Sequence, residues 1–187
     1  MEDKKDIKIE KLGEIINEKA SLFFKISIIG SCAIGKSSIV QKYLSFPIND
    51  CTHTSYYDYR TYFKVNNTII QLLILDFPGQ ERFRQISLNL SLNSDLVVIV
   101  YKDDYNSFDV SKQLIKRHKE ICNKNIHYAL INSLPGTQNI RKISKEEGEN
   151  LSKNEGFDLF MEVSHFTGYN IDNMFFEIIK ILYLDKK

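Results

Sequence analysis

The chain has 187 residues, 26% charged and 43% hydrophobic, and its 25 lysines and arginines nearly balance its 24 aspartates and glutamates. This length suits one domain with its own hydrophobic core, and the balanced charge argues against a nucleic-acid-binding protein, which is usually more basic. No apolar run approaches the roughly 18 residues of a membrane span, and no C-x-x-C pair occurs among the three cysteines, as expected for a cytoplasmic protein with free thiols.

The first 20 residues precede the first apolar run and carry mixed charges. Their apolar side chains recur at the spacing of one helical face, and these are Ile9, Leu12, Ile15, Ile16 and Ala20. We therefore expect a helical N-terminal extension over residues 1–20, which either folds back on the domain or docks onto a partner. One folded domain is expected over residues 21–187.

Apolar and amphipathic segments alternate along the rest of the chain. Apolar runs predict strands at residues 23–29, 56–65, 68–76, 95–101, 126–131 and 157–163. Helical periodicity predicts helices at residues 38–44, 107–121 and 170–184, and the capping box of Ser144 and Glu147 opens another through about residue 154. A tight turn at Asn66-Asn67 makes the second and third strands antiparallel. The pattern predicts a three-layer α/β fold, with a mostly parallel six-stranded sheet, one antiparallel strand and about five flanking helices.

A glycine-containing loop follows the first predicted strand. Residues 30–37 read Gly-Ser-Cys-Ala-Ile-Gly-Lys-Ser and fit the pattern G-x-x-x-x-G-K-[ST] between a strand and a helix. Backbone N–H groups of such a loop converge on phosphate oxygens, helped by the N-terminus of the following helix. The candidate phosphate-binding residues are Ala33, Ile34, Gly35, Lys36, Ser37 and Ser38. By itself the loop also fits nucleoside kinases and ATPases.

Two further segments give the loop its family context. Residues 76–83 read Asp-Phe-Pro-Gly-Gln-Glu-Arg-Phe, and residues 164–171 read Ser-His-Phe-Thr-Gly-Tyr-Asn-Ile. With the loop, they make the chain resemble the Ras superfamily of small GTPases, and within it the Rab-like branch, over residues 23–184. The resemblance implies a P-loop G domain that binds GTP and GDP with Mg²⁺, hydrolyses GTP slowly and acts as a switch in vesicle trafficking. It also implies protein effectors and an exchange factor that bind the switch regions.

The resemblance assigns roles to residues around the phosphates. It places the Lys36 ammonium against the terminal phosphates and the Ser37 hydroxyl on Mg²⁺, which neutralises charge on the transferred phosphoryl group. Asp76 would hold a magnesium-bound water. The Gly79 amide would meet the terminal phosphate, and Gln80 would be the catalytic residue that orients the attacking water.

The family also has a threonine that completes the magnesium shell only when the third phosphate is present. Residues 54–59 read Thr-Ser-Tyr-Tyr-Asp-Tyr and resemble the Rab pattern Thr-Ile-Gly-Val-Asp-Phe, which selects Thr54 as this ligand. Thr52 and His53 lie at or near the same position if the register of the following hairpin is counted differently.

The base-reading motifs depart from the family pattern. Where the family has Asn-Lys-x-Asp, this chain keeps Asn132 but has Ser133 and Pro135 in place of the lysine and aspartate. The later Ser-Ala-Lys motif becomes Ser-His-Phe, so His165 would offer its backbone N–H to the base carbonyl, and Phe166 would either stack on the base or simply pack. Guanine contacts are therefore predicted to be weak, and phosphate and magnesium contacts to dominate.

These departures keep two alternatives to a GTP/GDP switch open. One is a pseudo-GTPase, an interaction scaffold with weak or absent, base-unselective nucleotide binding. The other is a different P-loop enzyme such as a kinase or an ATPase, which the Gly-Gln-Glu-Arg-Phe context disfavours. The chain also ends without the cysteine that prenylation requires. We therefore expect a cytoplasmic protein that reaches endomembranes only through partners, or one domain of a longer, tandem protein.

Overall fold

The structure is a computed structural model that describes residues 7–13, 19–47, 56–136 and 141–186. Its strands, in chain order, are β1 (Ile9–Gly13), β2 (Leu22–Gly30), β3 (Tyr57–Val65), β4 (Thr68–Asp76), β5 (Leu96–Lys102), β6 (His127–Ser133) and β7 (Leu159–Val163). Its helices are α1 (Lys36–Leu44), α2 (Arg84–Ser91), α3 (Tyr105–Ile121), α4 (Lys145–Asn154) and α5 (Ile171–Asp185), and a 3-10 turn spans Glu81–Phe83.

The strands form one sheet in the order β1-β3-β4-β2-β5-β6-β7. β2 pairs in parallel with β4 and β5, and β6 pairs in parallel with β5 and β7. β3 runs antiparallel to both β4 and β1. Strands that are covered on both faces read as continuous apolar runs, and all of β5 except Lys102 is buried. The predicted, mostly parallel six-stranded sheet with one antiparallel strand is confirmed over β2–β7.

Helices cover both faces of the sheet. On one face, α1 and α5 bring together Tyr43 and Phe175, whose ring centroids lie 3.8 Å apart. On the other face, Leu88 of α2, Phe108 of α3 and Leu151 of α4 belong to a second apolar cluster. The three-layer prediction is therefore confirmed. In the described part of the chain, no helix has both the length and the hydrophobicity to cross a bilayer.

Two local signals in the sequence correspond to observed structure. Asn66 adopts a left-handed φ of 53°, and Val65 pairs with Thr68 across the turn that joins β3 and β4. The Ser144 side chain accepts a hydrogen bond from the Glu147 amide at 3.1 Å, while the Glu147 carboxylate accepts one from the Ser144 amide at 2.7 Å. Both the tight turn and the capping box are confirmed.

The N-terminal extension differs from its prediction, because residues 9–13 form a strand rather than a helix. β1 pairs antiparallel with β3, Ile9 opposite Val65, and adds a seventh strand at the edge of the sheet. The apolar residues of this segment fit the spacing of a helical face, but the segment also shows the alternation of a strand. Ile7 and Ile9 pack on the core, while Lys8 and Glu10 are exposed. Strand pairing prevails because the edge of β3 offers unpaired backbone groups.

Candidate functional site

The carboxyl ends of the parallel strands lie level with one another at one edge of the sheet. In the strand register, Ile28 pairs with Asp76, Lys102 with Ser133, and Ser133 with Val163. The loop that follows β2 therefore shares this edge with the last residues of β4, β6 and β7. Ligands of open α/β sheets bind at such an edge.

The loop between β2 and α1 has the backbone conformation of an anion cradle. Ala33 has φ 55° and Gly35 has φ 86°, so left-handed residues lie on both sides of Ile34. Alternation of this kind turns successive N–H groups toward one concave side. Ile34 is buried and anchors the loop, and the Ile39 amide donates to the Gly35 carbonyl oxygen at 2.9 Å to close the first turn of α1.

Gly35 is also sterically confined. A Cβ atom added to Gly35 would lie 2.9 Å from Cε1 and Nδ1 of His165 and 3.0 Å from Oγ of Ser133. Since its φ is already unfavourable for a residue with a side chain, glycine is needed here for both conformation and space. The contact also shows that the loop packs directly against the last residue of β6 and the segment after β7.

Lys36 begins α1 and is buried, with 6% of its surface exposed. Its Nζ atom donates a hydrogen bond to the carbonyl oxygen of Ser31 at 2.6 Å. Burial lowers the pKa of Lys36, while the charges of Asp76 and Cys32 act in the opposite direction. A buried ammonium is unfavourable unless anions or hydrogen-bond acceptors surround it, and the oxygens of a polyphosphate would provide them.

The predicted magnesium ligands are partly within the described residues. Ser37 is the second residue of α1, and the carboxyl-bearing Asp76 ends β4 with 2% of its surface exposed. The charge of Asp76 acts on the Lys36 ammonium, so the two predicted phosphate and metal groups share one electrostatic environment. Thr54, together with the alternatives Thr52 and His53, lies outside the described residues.

The segment after β4 folds onto the loop. A Cβ atom added to Gly79 would lie 2.2 Å from the Ser31 carbonyl oxygen and 2.5 Å from Lys36 Nζ. Gly79 therefore sits where the terminal phosphate is predicted. The Gln80 side chain is close in sequence, but its Oε1 accepts a hydrogen bond from Arg82 Nε at 3.0 Å. The structure thus brings Gly79 and Lys36 together and shows the Gln80 amide engaged with a neighbour.

Asn132, the remaining residue of the base-reading motif, is fully buried at the end of β6. Its Nδ2 donates to Glu162 Oε1 at 3.2 Å, and Arg141 forms an ion pair with the same carboxylate oxygen. The Oδ1 atom of Asn132 has no hydrogen-bond partner within the described ranges. Glu162 thus orients the Asn132 amide, a role that the sequence prediction did not include. Asn132 lies opposite Glu162 in the register of β6 and β7, a pairing that the sequence alone does not show.

His165 and Phe166 follow β7. Burial lowers the pKa of His165, so its imidazole is neutral at pH 7. The ring centroids of His165 and Phe166 lie 3.9 Å apart, and Phe166 is 60% exposed. Gly136 passes close to Phe166, since a Cβ on this glycine would lie 2.8 Å from Phe166 Cγ. Position 135, where the family has the aspartate, is a proline.

The fold and this edge of the sheet define a P-loop nucleotide-binding domain. Comparison with known proteins gives the family: the model of the Ras family matches residues 25–184. The chain therefore belongs to the Ras family, and its similarity to Rab-related proteins makes it a Rab-like small GTPase by class.

Three relatives show how far this similarity extends. Ras-related protein RABC2b of Arabidopsis thaliana is 30% identical over 168 residues, which cover 86% of this chain and 80% of the relative. Ras-related protein RABC1 of the same plant is 28% identical over 166 residues, covering 85% and 77%. Ras-related protein Rab-8A of Pongo abelii is 27% identical over 170 residues, covering 88% and 81%.

The residues present fit nucleotide phosphates and Mg²⁺. Lys36 supplies a buried cation, Ala33 and Gly35 shape the N–H cradle, and Gly79 leaves its backbone free to approach. The Ser37 hydroxyl and the Asp76 carboxylate are oxygen donors of the kind that Mg²⁺ prefers, the latter through a water molecule. The fit is good for the phosphates, whereas the base-reading motif keeps Asn132 and has Pro135 in place of the family's aspartate.

Proposed function

We propose that this protein is an atypical Rab-like switch that binds GTP and GDP with Mg²⁺, holds them chiefly by their phosphates and hydrolyses GTP slowly. The observation that carries the proposal is the position of Lys36, a buried ammonium between the Ser31 carbonyl oxygen and Gly79. Burial has a larger effect on the Lys36 pKa than the charge of Asp76, which acts in the opposite direction. The oxygens of a triphosphate would supply further negative charge to the buried ammonium.

Each phosphate-side residue has a distinct task in this proposal. Lys36 binds the terminal phosphates, Ser37 donates an oxygen to Mg²⁺, and Asp76 holds a water in the metal shell. Mg²⁺ itself supplies charge neutralisation at the transferred phosphoryl group. The Gly79 N–H binds the terminal phosphate. Gln80 turns from Arg82 to orient the attacking water, and this turn is one reason for a slow reaction.

Base recognition is weak in the proposed function. The family's aspartate accepts two hydrogen bonds from guanine, and hydrogen bonds to a charged acceptor contribute roughly 1.5–3 kcal/mol each. Their loss at Pro135 corresponds to about 10²–10⁴ in affinity. The contacts left for the base are the Asn132 amide and the His165 backbone N–H, and these discriminate less between guanine and adenine.

We also propose the cellular setting that the Rab class suggests. The protein would act in vesicle trafficking from the cytoplasm, reaching endomembranes through effectors and an exchange factor. Tyr56 and Tyr57, which are 54% and 44% exposed, lie at the start of β3 and give such partners an aromatic surface. This surface adjoins the predicted switch regions.

One observation favours a second candidate, a pseudo-GTPase scaffold. The Gln80 amide is engaged by Arg82, and the base motif has lost both its lysine and its aspartate. If phosphate contacts do not compensate for these losses, the domain acts through protein contacts alone.

The experiment that separates the two is identification of the nucleotide carried by the purified protein. The protein is denatured, the released nucleotide is separated by chromatography, and GTP and GDP are then titrated with and without Mg²⁺. The switch predicts bound guanine nucleotide and Mg²⁺-dependent affinity, both lost in Lys36→Ala. Absence of binding to either nucleotide supports the scaffold.

Hydrolysis requires its own comparison. Single-turnover GTP hydrolysis is measured for the wild type, Gln80→Leu and Gln85→Leu. Gln85 is a matched control, because it lies on α2 and donates to Asn89 at 3.0 Å, away from the loop. Slower hydrolysis in Gln80→Leu alone supports its catalytic role, whereas equal rates in all three remove Gln80 from the mechanism.

A further inference from the structure

The side chain of His165 lies against the phosphate loop. The resemblance assigns base contacts to Asn132 and to the backbone N–H of His165. In the structure, the imidazole of His165 packs against Gly35, with Cε1 and Nδ1 each 2.9 Å from the position of an added Cβ. The Ser133 hydroxyl lies at 3.0 Å from the same position. His165 therefore spans from β7 to the phosphate loop.

The imidazole is held by packing more than by polar contacts. Its Nδ1 atom is buried and has no hydrogen-bond partner among the described residues. Its ring stacks on Phe166 at 3.9 Å with an interplanar angle of 36°, and Phe166 is itself 60% exposed. A buried polar atom without a partner is unfavourable, so this arrangement is not a deep energy minimum. The ring can leave when a better occupant arrives.

The chemistry of the occupant matches that of the expected ligand. An imidazole is the same five-membered nitrogen heterocycle that forms one half of a purine, and the neutral state of His165 makes the likeness closer. Asn132 adds a fully buried Oδ1 without a partner at this edge of the sheet. The volume that the imidazole fills beside the loop matches the five-membered half of a purine.

We propose that the His165 side chain is an internal occupant of the base subsite, and that purine nucleoside phosphates bind in competition with it. The inference rests on the proposed function and adds a cause of weak binding distinct from the missing aspartate. A ring and a base cannot fill the same volume, so nucleotide binds only to molecules whose His165 has rotated away. The apparent affinity and the association rate therefore fall in proportion to the open fraction.

The test is the apparent Kd of a fluorescent GDP analogue, measured by titration. His165→Ala empties the subsite while keeping the backbone N–H, and its Kd is expected to be about tenfold lower, as for an open fraction of about one tenth in the wild type. His165→Phe keeps an aromatic ring at this position and should bind as weakly as the wild type or more weakly. His127→Ala, which removes a histidine at the opposite end of β6, should leave the Kd unchanged.

The same variants define the results that would overturn the inference. A Kd of His165→Ala that is unchanged or higher means that the imidazole does not compete with the base. A Kd of His165→Phe as low as that of His165→Ala means that the volume of the ring is not the cause. Melting temperatures of all variants are compared to detect a folding defect, and if His165→Ala has one, the Kd of His165→Phe decides.

A second readout keeps the inference separate from the proposed function. If the wild type binds no nucleotide but His165→Ala does, the internal occupant is confirmed and the wild type is a scaffold. If neither binds, both proposals fail. In the wild type, proton NMR contacts between His165 Hε1 and the Gly35 α protons should be present without nucleotide and lost with GDP. Persistence of these contacts in the GDP complex contradicts competition.

Discussion

The ammonium of Lys11 lies 3.9 Å from the centroid of the Tyr43 ring and also donates a hydrogen bond to the Tyr43 carbonyl oxygen. Lys11 belongs to β1, whereas Tyr43 lies in the last turn of α1, the helix that begins with Lys36. A cation at a helix C-terminus satisfies a free carbonyl and complements the helix dipole. The N-terminal strand thus stabilises the far end of the helix that carries the phosphate site.

Replacing Lys11 by methionine tests this attachment. The variant keeps the apolar stem but loses the cation–π contact and the hydrogen bond, so the free energy of unfolding should fall by about 1–2 kcal/mol. Urea unfolding measures the change. Lys8→Met, an exposed position on the same segment, is the control and should stay within about 0.5 kcal/mol of the wild type. Equal losses in both variants would rule out a special role for Lys11.

A methyl group at Gly79 is expected to damage the phosphate site. Its Cβ would lie 2.2 Å from the Ser31 carbonyl oxygen and 2.5 Å from Lys36 Nζ, so the segment must move off the loop. Gly79→Ala should therefore weaken GTP binding by about tenfold or more, the equivalent of ~1.4 kcal/mol. Gly156→Ala serves as a control for general destabilisation, because its φ of 63° makes a side chain unfavourable although the added Cβ has its nearest contact at 3.9 Å; it should bind GTP as tightly as the wild type. Wild-type affinity in Gly79→Ala would show that the close approach is dispensable.

Lys36→Met separates ligand binding from stability. In the wild type, saturating GTP with Mg²⁺ should stabilise the fold by about 2.7 kcal/mol at a hundred times the Kd, and the variant should show no shift.

Burial holds the pKa of Lys36 below 10.5, so the unfolded chain binds this proton more tightly than the folded one. The stability of the ligand-free wild type relative to the variant should therefore rise as the pH increases toward 10.5. A relative stability that falls over this range would contradict the account.

His118 gives the fold a sensitivity to acid. It is fully buried, its Nδ1 lies 2.9 Å from the Tyr128 hydroxyl, and burial lowers its pKa below 6.5. Below pH 6.5 the unfolded chain takes up a proton that the folded chain does not, so stability falls as the pH drops, by up to about 1.4 kcal/mol per pH unit. His118→Gln should flatten this slope in unfolding measurements between pH 7.5 and 5. An unchanged slope would assign the acid sensitivity to other groups.

The sheet could be predicted because its signals are local. The apolar run of β5, the turn at Asn66 and the capping box at Ser144 each depend on neighbouring residues, and each is confirmed. The loop at residues 30–37 was equally visible, since its pattern and its strand–helix context are contiguous. For the same reason the resemblance to the Ras family could be drawn before the fold was known.

Features that depend on distant contacts could not be predicted. β1 is a strand because β3 offers it an edge, and the helical spacing of the same residues conceals this. The bond from Asn132 to Glu162 and the packing of His165 on Gly35 join segments far apart in the sequence. The roles of Gln80 and Asp76 stay predictions, and Thr54 lies outside the described residues.

The ratio of the Kd for ATP to the Kd for GTP, measured with Mg²⁺ at fixed ionic strength, tests the central claim most directly. If phosphate contacts supply most of the affinity and the contacts that select guanine are lost, GTP binds, and its preference over ATP stays below about a hundredfold, or ~2.7 kcal/mol. A preference for GTP above about 10⁴-fold would show that specific recognition of guanine is intact. No binding of either nucleotide at millimolar concentration would show that the phosphate loop does not suffice. Either result would contradict a switch that is held by its phosphates.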